Sequence, residues 1–222
     1  MDAVVFDFDG VIVRNARMAN IVSRASEQFV SRHMGATKKG SKVVNRNLYM
    51  KHGHTALGVA YETGKDSREI VDDFNWFVYG RMNYALIDAC MRYDDKMRLR
   101  DIADLVWCRD IVTGLFTNAP LEWCDKVCTS IGVDIDRIVE PGYYVTSDNL
   151  YLKPDMRNYD EVDVMFSDVT KKGGGVYFLE DSLINIDTVY KRQTGVNWKC
   201  TLVRDDSILS VIKGLPPSVS TG

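Results

Sequence analysis

The sequence predicts an α/β protein: a Rossmann-like parallel sheet core carrying an inserted helical cap. Three observations predict it. Residues 3–8 form an apolar, β-branched run interrupted by Asp7 near its end, the pattern of a buried strand. From residue 111 onward short apolar strands alternate with helical patterns, the rhythm of a parallel sheet joined by crossover helices. Between these two regions the spacing of apolar residues is helical. The expected division is a core of residues 1–13 and 107–213, a cap of residues 14–106, and a flexible tail of residues 214–222.

The elements follow in order. Residues 15–33 carry Ile21, Val22, Ala25, Phe29 and Val30 at helical spacing. Further helices are expected over 47–61, 67–79 and 95–106, with Asp66 and Glu69 supplying a helix-start signal. Residues 111–116 read as a strand. Residues 120–131 read as a helix, with Pro120 at a tolerated early position and Gly132 near its stop. A short strand at 138–139, a helix at 154–166, a strand at 176–179, a helix at 183–192 and a strand at 199–203 complete the core. The segment from Pro216 to Gly222 is expected to fray.

Bulk properties narrow the function classes. The 222 residues are 45% hydrophobic and 27% charged, enough apolar material for a real core. A formal net charge of −3 argues against a nucleic-acid coat. No apolar run reaches about 18 residues, so no membrane span is expected. The first core strand starts beside Met1 with no leader-like pattern, so cytoplasmic residence is expected. The five cysteines, Cys90, Cys108, Cys124, Cys128 and Cys200, are odd in number, which suits a reducing compartment. Cys124 and Cys128 lie one helical turn apart, but His33, His52 and His54 are distant in sequence, so these thiols read as structural.

Four pieces fit one phosphoryl-transfer site: residues 5–11, 115–119, 152–155 and 178–182. A carboxylate is a competent nucleophile toward phosphorus when a divalent cation shields its repulsion from the phosphoryl oxygens. Asp7, at a buried strand end, is the candidate nucleophile. Asp9 is the candidate acid/base, and Gly10 permits a tight turn. Thr117 and Asn118 offer donors for a phosphoryl group just before a helix opened by Pro120. Lys153 supplies a cation that neutralises both nucleophile and phosphate. Glu180 and Asp181, adjacent acids after an apolar strand, call for a cation between them and Asp7. Mg²⁺ suits such oxygen ligands. Ser182 is a cap or a support for the carboxylates, Asn185 a candidate for orienting the loop, and Asp187 reads as structural. Taken singly, each piece also has a plainer reading as a solvated turn, an N-cap or a surface lysine.

At these residues the chain resembles the haloacid dehalogenase superfamily of aspartyl-phosphate phosphatases. The resemblance runs over nearly the whole chain. It implies Asp7 as nucleophile, Asp9 as acid/base, and a metal held by Asp7, the backbone carbonyl of Asp9 and Asp181; the residues themselves make Asp181 the expected direct ligand, with Glu180 direct or through water. Residues 49–58, Val71-Asp72-Asp73-Phe74 and Phe116-Thr117-Asn118-Ala119-Pro120 are similar to pyrimidine 5′-nucleotidase-like members. The chain has Asp9-Gly10-Val11 where that subfamily commonly has Asp-Asn-Thr, and Glu180-Asp181 where it usually has Asp-Asp.

Between Arg32 and Lys51 the chain carries six Lys/Arg residues and no acid. Gly35, Gly40 and Ser41 make part of this stretch loop-like, and Lys38, Lys39 and Lys42 read as its solvated surface. Arg46, Lys51 and His52 enter the expected cap helix and are candidate substrate-binding groups. The expected function is a Mg²⁺-dependent phosphomonoesterase acting through an aspartyl phosphate on a nucleoside 5′-monophosphate or similar small organic phosphate. The alternatives are a nucleic-acid end phosphatase, a phosphosugar phosphatase or mutase, and a non-catalytic binding protein. The sequence leaves the oligomeric state open.

Overall fold

A computed structural model describes residues 2–109, 111–192, 194–204 and 208–214. Its core is a five-stranded, all-parallel sheet in the order β3-β2-β1-β4-β5. β1 (Ala3–Phe6) is central and buried at all four residues, as a strand covered on both faces must be. It is flanked by β2 (Val112–Phe116) and β4 (Val176–Glu180), with Phe6 level with Leu115 and Leu179. This register brings the carboxyl ends of three strands to one edge. β5 (Trp198–Leu202) extends the sheet beyond β4.

Six α-helices lie between β1 and β2: α1 (Ala16–Met34), α2 (Lys38–His52), α3 (Thr55–Thr63), α4 (Ser67–Asn75), α5 (Tyr84–Cys90) and α6 (Tyr93–Arg109). This is the helical cap expected from the sequence, although its internal elements differ in four places. Residues 38–42 are helical rather than looped. Thr37 caps α2 by accepting from the Gly40 amide, and the Ser41 hydroxyl donates to the Lys38 carbonyl at 3.1 Å, so Gly40 is absorbed in a capped first turn. The helix expected over 47–61 is two helices, broken where Gly53 takes a φ of 73° and His54 caps α3 through Nδ1. A Cβ at Gly53 would stand 2.1 Å from Cδ of Pro154, so the break is where the cap rests on the core. The pattern over 67–79 is α4 followed by a π-helical turn, Trp76–Gly80. α5, which no periodicity announced, is capped by Asn83.

After β2 come α7 (Leu121–Ser130), the two-residue edge strand β3 (Tyr144–Val145), α8 (Met156–Met165), α9 (Ser167–Lys171), α10 (Leu183–Lys191) and α11 (Ile208–Gly214). The strand expected at 138–139 is not formed. Ile138 and Val139 follow a 3₁₀ turn and are buried in the core without joining the sheet, because a short apolar run answers to burial and not to pairing alone. The helix expected from 154 starts at Met156, with Asp155 as its N-cap accepting from the Arg157 amide. Of the expected flexible tail, residues 215–222 lie outside the described residues. No described helix is long and apolar enough to cross a membrane. All five cysteines are free, with Cys90, Cys124 and Cys128 buried.

The cap is fastened to the core at a second place. Nη1 of Arg68, on α4, donates to the backbone carbonyls of Ser147, Asp148 and Asn149 at 3.2, 3.1 and 2.8 Å. Asn75 donates to the Ser147 hydroxyl at 2.8 Å.

Candidate active site

Asp7 is the first residue beyond β1, and its amide continues the ladder to the Leu179 carbonyl at 2.9 Å. The carboxylate is nearly sealed from solvent. It lies 3.1 Å from Nζ of Lys153 and is hydrogen-bonded by Thr117. Burial raises its pKa to about 6, with Lys153 pulling downward and Glu180 pushing upward. Asp9 receives the indole N–H of Trp123 at 3.2 and 3.3 Å. Burial, then the Asp7 charge, raise the Asp9 carboxyl to about 7. The turn between these acids and α1 is tied by Gly10 N–H to the Val13 carbonyl at 2.8 Å. Arg98 of α6 donates to the carbonyls of Val11 and Ile12.

Lys153 is 1% exposed and its ammonium has three oxygen partners: Phe116 O at 2.8 Å, Glu180 Oε2 at 2.7 Å and Asp7 Oδ1 at 3.1 Å. Burial opposes its charge, but Asp7 and Glu180 outweigh burial and hold the ammonium well above the usual lysine range. Asn118 clamps the same residue from behind, exchanging two 2.8 Å bonds with the Lys153 amide and carbonyl. Its side-chain amide is thus spent on positioning Lys153. Glu180 is fully buried, and four donors engage it: the amides of Asp181 and Ser182, Lys153 Nζ and Asn185 Nδ2. Asn185 therefore orients Glu180, while Asp187 is exposed. Asp181 reaches solvent at the rim. Partial desolvation, then the Asp7 charge, push its carboxyl upward. Oxygens of Asp7, Glu180 and Asp181 lie within 4.8 Å of one another, a set of hard donors suited to a divalent cation.

These groups floor a cavity of about 780 Å³ between the sheet edge and the cap. Arg46 and Tyr49, one turn apart on α2, line it. The Tyr49 phenol is hydrogen-bonded to Ser182, which makes no side-chain cap on α10. Lys51 and His52 are not brought to this cavity. Lys51 pairs with Glu62 at 2.8 Å, and His52 packs beside Tyr61 and Glu62. The helix turns them away: Lys51 lies about 140° around α2 from Arg46 at 100° per residue. Lys38, Lys39 and Lys42 are exposed.

Trp123, Tyr49 and Arg14 also line or contact the site and were not singled out by sequence reasoning. Only Tyr49 carried a usable signal, its i+3 spacing from Arg46. An aromatic residue inside a helix, such as Trp123, reads first as core.

No protein-family model matches the sequence, and no curated protein matches it. Solved structures do match. CbbY from Rhodobacter sphaeroides in complex with phosphate is 16% identical with a TM-score of 0.57, covering 92% of this chain and 87% of that one. CbbY in complex with xylulose-(1,5)-bisphosphate gives 16%, a TM-score of 0.51 and the same coverage. A predicted phosphoglycolate phosphatase from Haemophilus somnus 129PT gives 13% and 0.52, covering 91% of this chain and 84% of that one. The chain therefore shares its fold with these structures; in this chain that fold is a parallel α/β core with an inserted helical cap.

Proposed function

We propose that the protein is a Mg²⁺-dependent phosphomonoesterase that works through an aspartyl phosphate on Asp7. One observation carries this reading. Asp7 is held 3.1 Å from the buried Lys153 ammonium, while Asp9, two residues on, meets the uncharged indole N–H of Trp123. One carboxylate is thus poised as nucleophile and its neighbour as proton donor, a division of labour set by environment.

The carboxylates of Asp7 and Asp181 and the backbone carbonyl of Asp9 would hold the metal. Glu180, its oxygens engaged by four protein donors, fixes Lys153 and the start of α10. Bound there, the cation supplies charge neutralisation between the nucleophile and the phosphoryl oxygens. In the first step an Asp7 oxygen bonds to phosphorus as the ester P–O bond breaks, and the Asp9 proton passes to the leaving oxygen. In the second, Asp9 takes a proton from water whose oxygen attacks phosphorus, and the Asp7–P bond breaks to release phosphate. Lys153 and Thr117 stabilise the charge on Asp7 and the transferring group.

The substrate is a small organic phosphate. The narrower reading from the sequence is a nucleoside 5′-monophosphate. A second reading, a sugar phosphate handled by a phosphatase or mutase, is supported by the hydrogen-bonding groups of Ser23, Asn45 and Thr55 along the cavity wall. The structural likeness to a protein complexed with xylulose-(1,5)-bisphosphate supports it too. The test is phosphate release from nucleoside monophosphates, sugar phosphates and a 5′-phosphorylated oligonucleotide, with Mg²⁺ and with EDTA, on wild type and Asp7→Asn. Metal-dependent release lost in Asp7→Asn supports the mechanism, and the preferred compound decides the substrate. No release from any compound sinks the reading and leaves a binding protein.

A further inference from the structure

Charge is distributed unevenly along the chain. The α1–α2 hairpin, residues 16–52, holds eight Lys/Arg and one acid, Glu27, a formal charge of +7 in a chain whose total is −3. Four of these cations share one face of α2. Counting 100° per residue from Lys38, Lys42 lies at about 40°, Arg46 at about 80° and Lys39 at about 100°, with Tyr49 at about 20°. At 1.5 Å per residue the row from Lys38 to Arg46 is about 12 Å long. It ends at the catalytic cavity, which Arg46 and Tyr49 line. All four cations are exposed. Among the described residues none of them has an acidic partner: Glu27 pairs with none, and of the hairpin's Lys and Arg side chains only Lys51 is paired, with Glu62. Lys38 and Lys39 also occupy the first turn of α2, at the positive end of its dipole, where acids are the stabilising residues. Two lysines there work against the helix, and an anion brought to this end offsets both the lysines and the dipole.

We infer that this face of α2 is a docking surface for nucleic acid, holding a few backbone phosphates of a single strand that runs along the helix toward the cavity mouth. Lys38, Lys42 and Arg46 recur at intervals of about 6 Å along the axis, and a strand offers such a row one anion per nucleotide. A single row suits one strand. A lipid surface is a poorer match, because Val44 and Leu48 are turned into the cap and leave α2 no continuous apolar face to lay in a bilayer. The surface lies outside the catalytic floor, and its binding does not depend on the chemistry of Asp7.

The test is equilibrium binding of a fluorescent oligodeoxythymidylate of about 20 nucleotides, followed by anisotropy between about 50 and 200 mM salt. Four neutralised phosphates give a slope of log K against log salt of about −3, at about 0.7 per contact. Lys38→Glu combined with Lys42→Glu should make the slope shallower by about 1.4 and weaken binding about 10-fold or more at the lowest salt. Both positions are exposed, and acids near a helix N-terminus favour the helix, so this variant should keep its fold. Lys172→Glu combined with Lys191→Glu, exposed positions just after α9 and at the end of α10, changes the net charge equally and should leave the slope as it is. A slope near zero overturns the inference. So does an equal effect of the two charge reversals, which would make the attraction one of net charge. Binding to phosphatidylserine vesicles that the α2 reversal abolishes, with the oligonucleotide left unbound, would overturn it in favour of a membrane. No turnover is read, so an inactive phosphatase leaves this result standing.

Discussion

Gly10 and Asp181 are packed so closely that a Cβ on residue 10 would stand 2.0 Å from Oδ2 of Asp181. Gly10 also has a φ of 95°, a conformation that side chains disfavour. The loop carrying Asp7 and Asp9 and the loop carrying Asp181 are thus in direct register. Gly10→Ala should displace Asp181 as well as strain the turn. We expect a loss of about 2 kcal/mol in stability and loss of the Mg²⁺-induced rise in melting temperature. A variant that keeps the full Mg²⁺ shift would show that Asp181 does not contribute to metal binding.

Trp123 is the protein donor to the Asp9 carboxyl, and its hydrogen bond lowers a pKa that burial has raised. Trp123→Phe removes the donor and keeps an aromatic ring. The Asp9 pKa should then rise further. In the proposed mechanism Asp9 must be protonated to donate to the leaving oxygen, so the alkaline limb of the kcat/KM profile should move to higher pH, with kcat lowered. An unmoved limb would assign that titration to another group.

Lys153 neutralises two carboxylates that have little access to water. Lys153→Met leaves them buried without their cation, a change that costs about 3–5 kcal/mol when both are ionised. Asp7 and Glu180 already have raised pKa values, and losing Lys153 raises them further. Protonation then relieves the penalty. The destabilisation measured by urea unfolding should be large at pH 8 and markedly smaller at pH 5. Equal destabilisation at both pH values would mean that lost packing dominates.

His54 is buried against Phe74, and burial lowers its pKa to about 4. Its folded value lies below the unfolded one near 6.5, so the folded state resists protonation. Stability attributable to this residue is intact above about pH 6.5 and declines as pH falls toward 4, by about 2–3 kcal/mol at pH 4.5. His54→Asn, which preserves a capping acceptor for α3, should flatten this slope in urea unfolding at pH 7 and 4.5. An unchanged slope would place the acid sensitivity elsewhere.

What was legible in the sequence follows from which signals are local. β1, β2 and β4 are buried on both faces, so their apolar runs stand out, and the polar residues that close them mark the sheet edge. Asp7, Asp9, Thr117, Glu180 and Asp181 could be picked out for that reason, whereas Lys153 closes none of these strands and was marked by its place before Pro154 at a helix entrance. β3 could not, because two residues, Tyr144 and Val145, make no run, and the more apolar Ile138-Val139 pair drew the assignment. Lys51 and His52 show the converse limit. Composition marked the stretch as basic, but the helical phase and the break at Gly53 decide which of its cations face the cavity. Trp123 and Arg14 acquire their roles from approaches across the fold, to Asp9 and to the cavity, that no local pattern encodes.

The joint between Arg68 and residues 147–149 has a consequence for how the two parts of the chain can diverge. On the core side the acceptors are main-chain carbonyls, which nearly any residue presents alike. On the cap side one guanidinium makes all three bonds. Fitting instructions for this seam are therefore written almost wholly on one partner. On the core side only the Ser147 hydroxyl meets the cap through a side chain among the hydrogen bonds of this seam, while Thr146, Asp148 and Asn149 use theirs to hold the loop's path within the core. A cap transplanted onto a related core would carry its own fastener with it, provided the loop keeps its path.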